Sequence, residues 1–277
     1  MGIDINTNVM AMNAYSNLSA NEMNMQGSLA KLSSGYKINT AADDASGLVI
    51  SQHLKAQLGG FQTSQANTQN AISVVQTAEG ALTEVSNILQ RIRSLAVQAA
   101  NTSATDSNAQ NAAQSEVTQS LATIDSIAQS TVFGTNKLLW TGTGASGTTV
   151  SFTFQVGYAS TNQVSFSLTV LSTDSLGVSG INVSSAPGTA IDLADAAITT
   201  VATMAGTLGA YQNEFQHLAN SSSVMQQNLS ASVAGITDTD MAAEMVNFTK
   251  SQILVQAGVS MLAQANSTPQ SILKLLG

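Results

Sequence analysis

The stretch VQTAEGALTEVSNILQRIRSLAVQAAN, residues 75–101, constrains this chain more than any other. Its apolar positions Val75, Ala78, Leu82, Val85, Leu89, Ile92, Ala96 and Ala99 step alternately by three and by four. That spacing makes one narrow stripe of period 3.5, the seam of a coiled coil, and it equally fits an amphipathic helix in a bundle. Either structure requires partner helices along the whole length. Val75, Leu82, Val85, Leu89 and Ile92 are therefore the expected subunit-packing residues, with Met245, Phe248, Val255 and Leu262 of a later stripe.

The rest of the chain takes its place around this seam. Residues 5–34 read as a helix with Leu18, Met25 and Leu32 a heptad apart, and Gly35 sits where a left-handed residue stops a helix. Met10, Met12, Met23 and Met25 fit gap-filling packing against another apolar helix. Thr40 is the expected N-cap of the next helix, over 42–101, with Asp43 and Asp44 in its first turn and a possible break at Gly59-Gly60. Such a rod would be about 80 Å long, which fibrous bundles hold and globular domains rarely do. After a polar turn at 102–108, Asp106 is the expected cap of a helix carrying Val117, Leu121, Ile124 and Ala128, which ends near Phe133-Gly134.

From Val150 the period changes to two. Val150, Phe152, Phe154 and Val156, then Val164, Phe166, Leu168 and Val170, alternate with polar residues, which predicts a β-hairpin. A lone hairpin is marginal in water, so it has to lie on the helices. Helical period resumes near Ile191 and runs to about Val233. After a break at Gly235–Asp238, Asp240 caps a last helix, expected to end at Ser267-Thr268-Pro269 before an apolar tail, Ile272, Leu273, Leu275 and Leu276. The fold class is mainly α: long coiled-coil helices from both chain ends form a rod, with a small β-hairpin region mid-chain. The two terminal segments have no partner nearby in sequence, so they are expected to pair with each other and then with other copies.

Composition bears on that last step. Charged residues are only 9%, against about 25% in ordinary soluble domains. Amides and hydroxyls cover the outer faces, which leans toward assembly. Net charge is −8, and no Lys or Arg lies between Leu138 and Thr249. No basic face for nucleic acid or an anionic membrane can be built there. Without Cys there is no disulfide frame. The N-terminus reads as neither a signal peptide nor a myristoylation site, and no run of about 18 apolar residues is present.

Catalytic signals are sparse. His53 and His217 lack metal-site spacing, and no P-loop, GxSxG or GxGxxG occurs. Asp43-Asp44 and Asp238/Asp240 sit at helix starts, where capping accounts for them. Arg91 and Arg93 are the only cluster of cations and could anchor a carboxylate of a neighbouring subunit. No enzyme, metal or cofactor is expected.

Three N-terminal stretches and one C-terminal stretch resemble bacterial flagellin. They are LAKLSSGYKINTAADDASGLVIS (29–51), QTAEGALTEVSNILQRIRSLAVQAAN (76–101), residues 116–139, and DTDMAAEMVNFTKSQILVQAGVSMLAQANSTPQSILKLL (238–276). The resemblance implies a minimal flagellin lacking large surface domains, a secreted structural protein that polymerises into the extracellular flagellar filament. It implies an inner coiled-coil domain of residues 1–42 and 236–277, an outer helical rod of 43–140 and 190–235, and a hairpin region, 141–189, belonging to the rod. Implied partners are copies of itself, an export chaperone, the filament cap, the hook-junction proteins and a vertebrate Toll-like receptor. The matching receptor positions are Gln90, Arg91, Leu95 and Glu116, with Ser94 where an acid is usual. Flagellins usually carry Arg near Gly59, Ala66, Gly235 and Thr237; this chain has none there, so its lattice is expected to rely on apolar and amide contacts and to be less sensitive to salt. The Ser/Thr-rich loops 141–149 and 182–189 are candidates for O-glycosylation. A hook–filament junction protein is the alternative within the family, and a secreted adhesin the alternative outside it.

Overall fold

A computed structural model describes residues 7–101, 106–142 and 147–276, with side chains described as far as Thr268. The expected start at Ile5, the first half of the polar turn, part of the 141–149 loop and the side chains of the apolar tail lie outside the described residues. The elements are helices α1 (Val9–Ser34), α2 (Ala45–Ala100) and α3 (Ser107–Ser130); strands β1 (Val132–Phe133), β2 (Asn136–Lys137), β3 (Thr149–Gln155) and β4 (Gln163–Thr169); and helices α4 (Pro187–Thr237) and α5 (Met241–Leu276). They form two compact units, residues 1–56 with 228–277, and residues 57–227.

The unit of residues 57–227 has the closed core. Its apolar stripes from α2, α3 and α4 meet, and Leu82, Leu89, Ile92, Ile124, Leu208 and Phe215 are fully buried. Antiparallel β3–β4 supplies the remaining side, in a register pairing Phe152 with Phe166 and Phe154 with Val164. Phe166 stacks on Tyr211 with ring centroids 4.8 Å apart, and Phe154 meets Phe215 edge-on at 5.6 Å. The outer face of the hairpin carries paired hydroxyls, Ser151 with Ser167 at 2.9 Å and Thr153 with Ser165 at 3.0 Å. One face of the sheet is thus used by the core and the other is polar, which covers the aggregation hazard of an uncharged aromatic hairpin.

Polar side chains of α3 hold the return loop. Asp125 accepts from the backbone N–H and the hydroxyl of Thr173. The Gln114 amide donates to the Ile181 carbonyl and accepts from the Val183 N–H. The loop then enters α4 with Pro187 as its first residue, where a missing N–H costs nothing; the helix therefore starts four residues before Ile191. α4 reaches a mean hydropathy of 1.2 over 18 residues, enough to cross a membrane by length and composition alone. In this fold Val201, Leu208 and Phe215 of that helix line the core.

Two glycines read as a break prove to be continuous helix. α2 passes through Gly59-Gly60 because Gly60 is the seat of the hairpin tip: a Cβ there would lie 2.7 Å from Cβ of Tyr158. The Tyr158 ring packs on Phe61 at 5.2 Å between centroids. The glycine is a close approach of two backbones and not a stop signal. α3 ends at Ser130 with Thr131 as its C-cap, a little before the expected site, because residues 132–137 form the small β1–β2 turn around Gly134, whose φ is +63°.

Candidate functional site

The unit of residues 1–56 and 228–277 consists mainly of α1 packed antiparallel on α5. The Asn8 amide donates to the Ala265 carbonyl at 2.9 Å, Leu18 lies against Gly258, and Tyr36 bridges Asp238. Along α1 the covered positions include Ala11, Ala14, Leu18, Asn21, Met25, Ser28 and Leu32, and along α5 Glu244, Phe248, Ser251, Val255, Gly258, Leu262 and Ala265. Both series alternate steps of three and four, so each helix gives the other one coiled-coil seam.

The caps are partly as expected. Gly35 takes φ +76° and closes α1. The Asp106 carboxylate accepts from the Ala109 N–H, and that of Asp240 from the N–H groups of Ala242 and Ala243. For α2 the cap is Asp44, accepting from the Gly47 N–H at 2.9 Å, and not Thr40. Thr40 instead donates to Asp43 through both its N–H and its hydroxyl. The backbone N–H groups of Thr40 and Asn39 hold the Asp43 carboxyl below the usual carboxylate range, and the Gly47 N–H does the same for Asp44. Two connectors are zipped together here, by Lys37 N–H to the Thr237 carbonyl and Thr239 N–H to the Gly35 carbonyl. Lys37 Nζ also donates to the Gly235 carbonyl.

α5 does not end before Pro269, as its sequence suggests, but continues to Leu276. A proline at 269 removes the N–H that would bond the Ala265 carbonyl. Asn8 takes that carbonyl with its Nδ2 while its Oδ1 caps α1 through the Ala11 N–H. One amide from the other chain end thus caps the start of α1 and takes the mid-helix carbonyl of α5 that Pro269 cannot bond, and nothing local to residues 260–276 could have revealed it.

Outside its seam this unit is not closed. Val246, Ile253, Leu254 and Met261 of α5 are exposed, as are Met12, Tyr15 and Met23 of α1. Met245, Val246, Thr249, Lys250, Ile253 and Leu254 line a shallow open groove. The nine expected subunit-packing residues divide accordingly. Val75, Leu82, Val85, Leu89 and Ile92 are fully buried inside one chain, under α3, α4 and the hairpin, so they offer no contact to a neighbouring copy. Phe248, Val255 and Leu262 are half-buried in the α1–α5 seam, and Met245 stays exposed.

The arginines also find partners within the chain. Arg91 Nε pairs with Glu116 at 2.7 Å and Arg93 Nε with Asp195 at 2.5 Å, so no carboxylate of a neighbour is needed. The hydrogen bond to Glu116 and its charge raise the Arg91 pKa. Of the four residues matched to receptor recognition, Gln90, Arg91 and Glu116 are exposed and Leu95 is buried. Among the described residues no group of three or more His, Asp or Glu is placed to hold a metal ion.

The chain matches the bacterial flagellin N-terminal helical region over residues 5–143 and the C-terminal helical region over residues 191–276. It is 38% identical to a flagellin of Bacillus subtilis (strain 168), covering 98% of this chain and 99% of that one. It is 40% identical to a flagellin of Halalkalibacterium halodurans, and 38% identical to the flagellar filament 30.7 kDa core protein of Treponema maltophilum, with the same coverage. A crystal structure of Bacillus cereus flagellin, 30% identical, overlaps 57% of this chain and 88% of that one with a TM-score of 0.48. The chain belongs to the bacterial flagellin family, a family of structural filament subunits and not of enzymes.

Proposed function

We propose that this filament subunit polymerises through its terminal helices. In this reading residues 1–42 and 236–277 are an inner coiled-coil domain at the filament core. Residues 43–140 and 190–235 are the outer rod, and 141–189 its hairpin region. The observation that carries the reading is the open apolar surface on both α1 and α5 after their mutual seam has formed. Two helices can cover one stripe each; further stripes need further helices. Identical copies supply them in a helical polymer. The filament lies outside the cell, and before export a chaperone holds the C-terminal segment. The cap and the hook-junction proteins meet the same open faces at the filament ends.

The test is seeded elongation with Val246→Gln and Ile253→Gln. Both side chains are exposed in the single chain, so the monomer should keep its thermal midpoint while elongation stops. Elongation at the unaltered rate would overturn the reading.

A second reading concerns the vertebrate Toll-like receptor. What supports it is the exposed Arg91–Glu116 pair on the rim of a cavity of about 260 Å³, with Gln98 and Gln110 also in its lining. Leu95, buried, is also in the lining and contributes through packing. Arg91→Ala should abolish receptor signalling by purified monomer, and an undiminished signal would exclude it.

A further inference from the structure

The thioethers are unevenly placed. Of the 10 methionines, only Met204 and Met225 belong to the unit with the closed core. Met10, Met12, Met23, Met241, Met245 and Met261, all in the α1–α5 unit, are between 48% and 66% exposed. Met12 and Met23 lie 11 residues apart, three turns, and so project from one line of α1. That line is opposite the seam made by Ala11, Leu18 and Met25. Met245 lines the open groove of α5 with Val246 and Ile253. There is no Cys in the chain, so these thioethers are its most readily oxidised accessible side chains.

We propose that the methionines of α1 and α5 are oxidation sites through which a peroxide controls assembly competence. The proposal rests on the reading that these faces are buried between copies. The step is a two-electron oxidation by hydrogen peroxide. The sulfur lone pair attacks one peroxide oxygen, an S–O bond forms, the O–O bond breaks, and the leaving hydroxide takes the proton of the transferred oxygen to give water. The product is methionine sulfoxide, a polar group where an apolar one was. Within the single chain little changes, because these side chains are already in water. Between copies the sulfoxide oxygen would have to be desolvated without a designed partner. Unassembled subunits are therefore vulnerable and assembled ones protected, and methionine sulfoxide reductases, which act on one epimer each, reverse the lesion.

The experiment compares hydrogen peroxide-treated monomer with untreated monomer in seeded elongation, with peptide mass mapping of each methionine. Treated monomer should elongate more slowly by about tenfold or more, and recover after treatment with reductases for both epimers. The combined variant Met12→Leu, Met23→Leu, Met245→Leu and Met261→Leu keeps apolar volume; whatever its own starting rate, the ratio of its elongation rates after and before peroxide should stay near one. Treated wild-type chain that elongates at the untreated rate, or that the reductases fail to restore, overturns the proposal. So does a Leu variant as peroxide-sensitive as the wild type. A different result would strike the underlying reading instead: Met12 and Met23 gaining oxygen as fast in intact filaments as in monomer.

Discussion

The two units use the same residue types and the same 3.5-residue spacing, yet they end in opposite conditions. In residues 57–227 the stripe of α2 is closed by α3, α4 and a hairpin, and Leu82, Leu89, Ile124 and Phe215 lose all contact with water. In residues 1–56 and 228–277 the best-covered apolar side chains, Leu18, Ile38, Val233 and Ala265, still keep 8–9% exposure. Small and polar residues, Ala14, Asn21, Ser28, Ser251 and Gly258, occupy much of that seam. The difference is one of layer number. A helix pair buries one stripe per helix, whereas a third helix and a sheet close the remaining sides. The first unit covers its own apolar stripes, whereas the second leaves stripes open, which in the proposed reading other copies cover.

The comparison breaks if the monomer is uniformly stable. Limited proteolysis of dilute monomer should trim residues of the terminal unit and leave a resistant fragment spanning most of 57–227. A monomer resistant from end to end would contradict the two-condition description. Substitutions should separate the units next. Phe215→Ala is expected to lower monomer stability by about 3–5 kcal/mol in chemical denaturation, as for a fully buried aromatic. Leu18→Ala should barely move that transition and should instead slow elongation. Gly60→Ala should cost about 1–3 kcal/mol, since the added methyl meets the Tyr158 side chain and backbone. The local sign is exposure of the Phe61–Tyr158 contact to hydrogen exchange, with α2 itself intact.

Smaller effects come from acid and salt. Asp43 and Asp44 bind protons less readily in the fold than in the unfolded chain, because backbone N–H groups stabilise their charged forms. Their contribution is present above the ordinary carboxylate pKa, about 4, and is lost as pH falls through the lower folded value. Protection of the connector around residues 39–47 should therefore fall in acid, and Asp43→Asn should flatten that dependence without altering the closed core. Salt should matter least. Arg91–Glu116 and Arg93–Asp195, the ion pairs among the described residues, lie within one chain and are exposed. Filaments should keep their length as ionic strength is raised at constant pH; sharp depolymerisation would point to intersubunit ion pairs.

Local chemistry was mostly legible where its cause was local, the cap of α2, read as Thr40 and found at Asp44, being the exception. The heptad at 75–99, the hairpin alternation, the left-handed Gly35 and the caps Asp106 and Asp240 each follow from a few neighbouring residues, and so does the mainly helical class with a mid-chain hairpin. The family motifs were equally legible, because they are long and in order. Tertiary structure decided which stripe faces the chain itself and which faces outward, since periodicity describes a helix face but not what covers it. It made Val75 to Ile92 an internal core, paired Arg91 and Arg93 within the chain, turned Gly60 from a break into a docking seat, and let Asn8 carry α5 through Pro269. Each of these depends on a partner distant in sequence, brought near only when the helices fold back on one another.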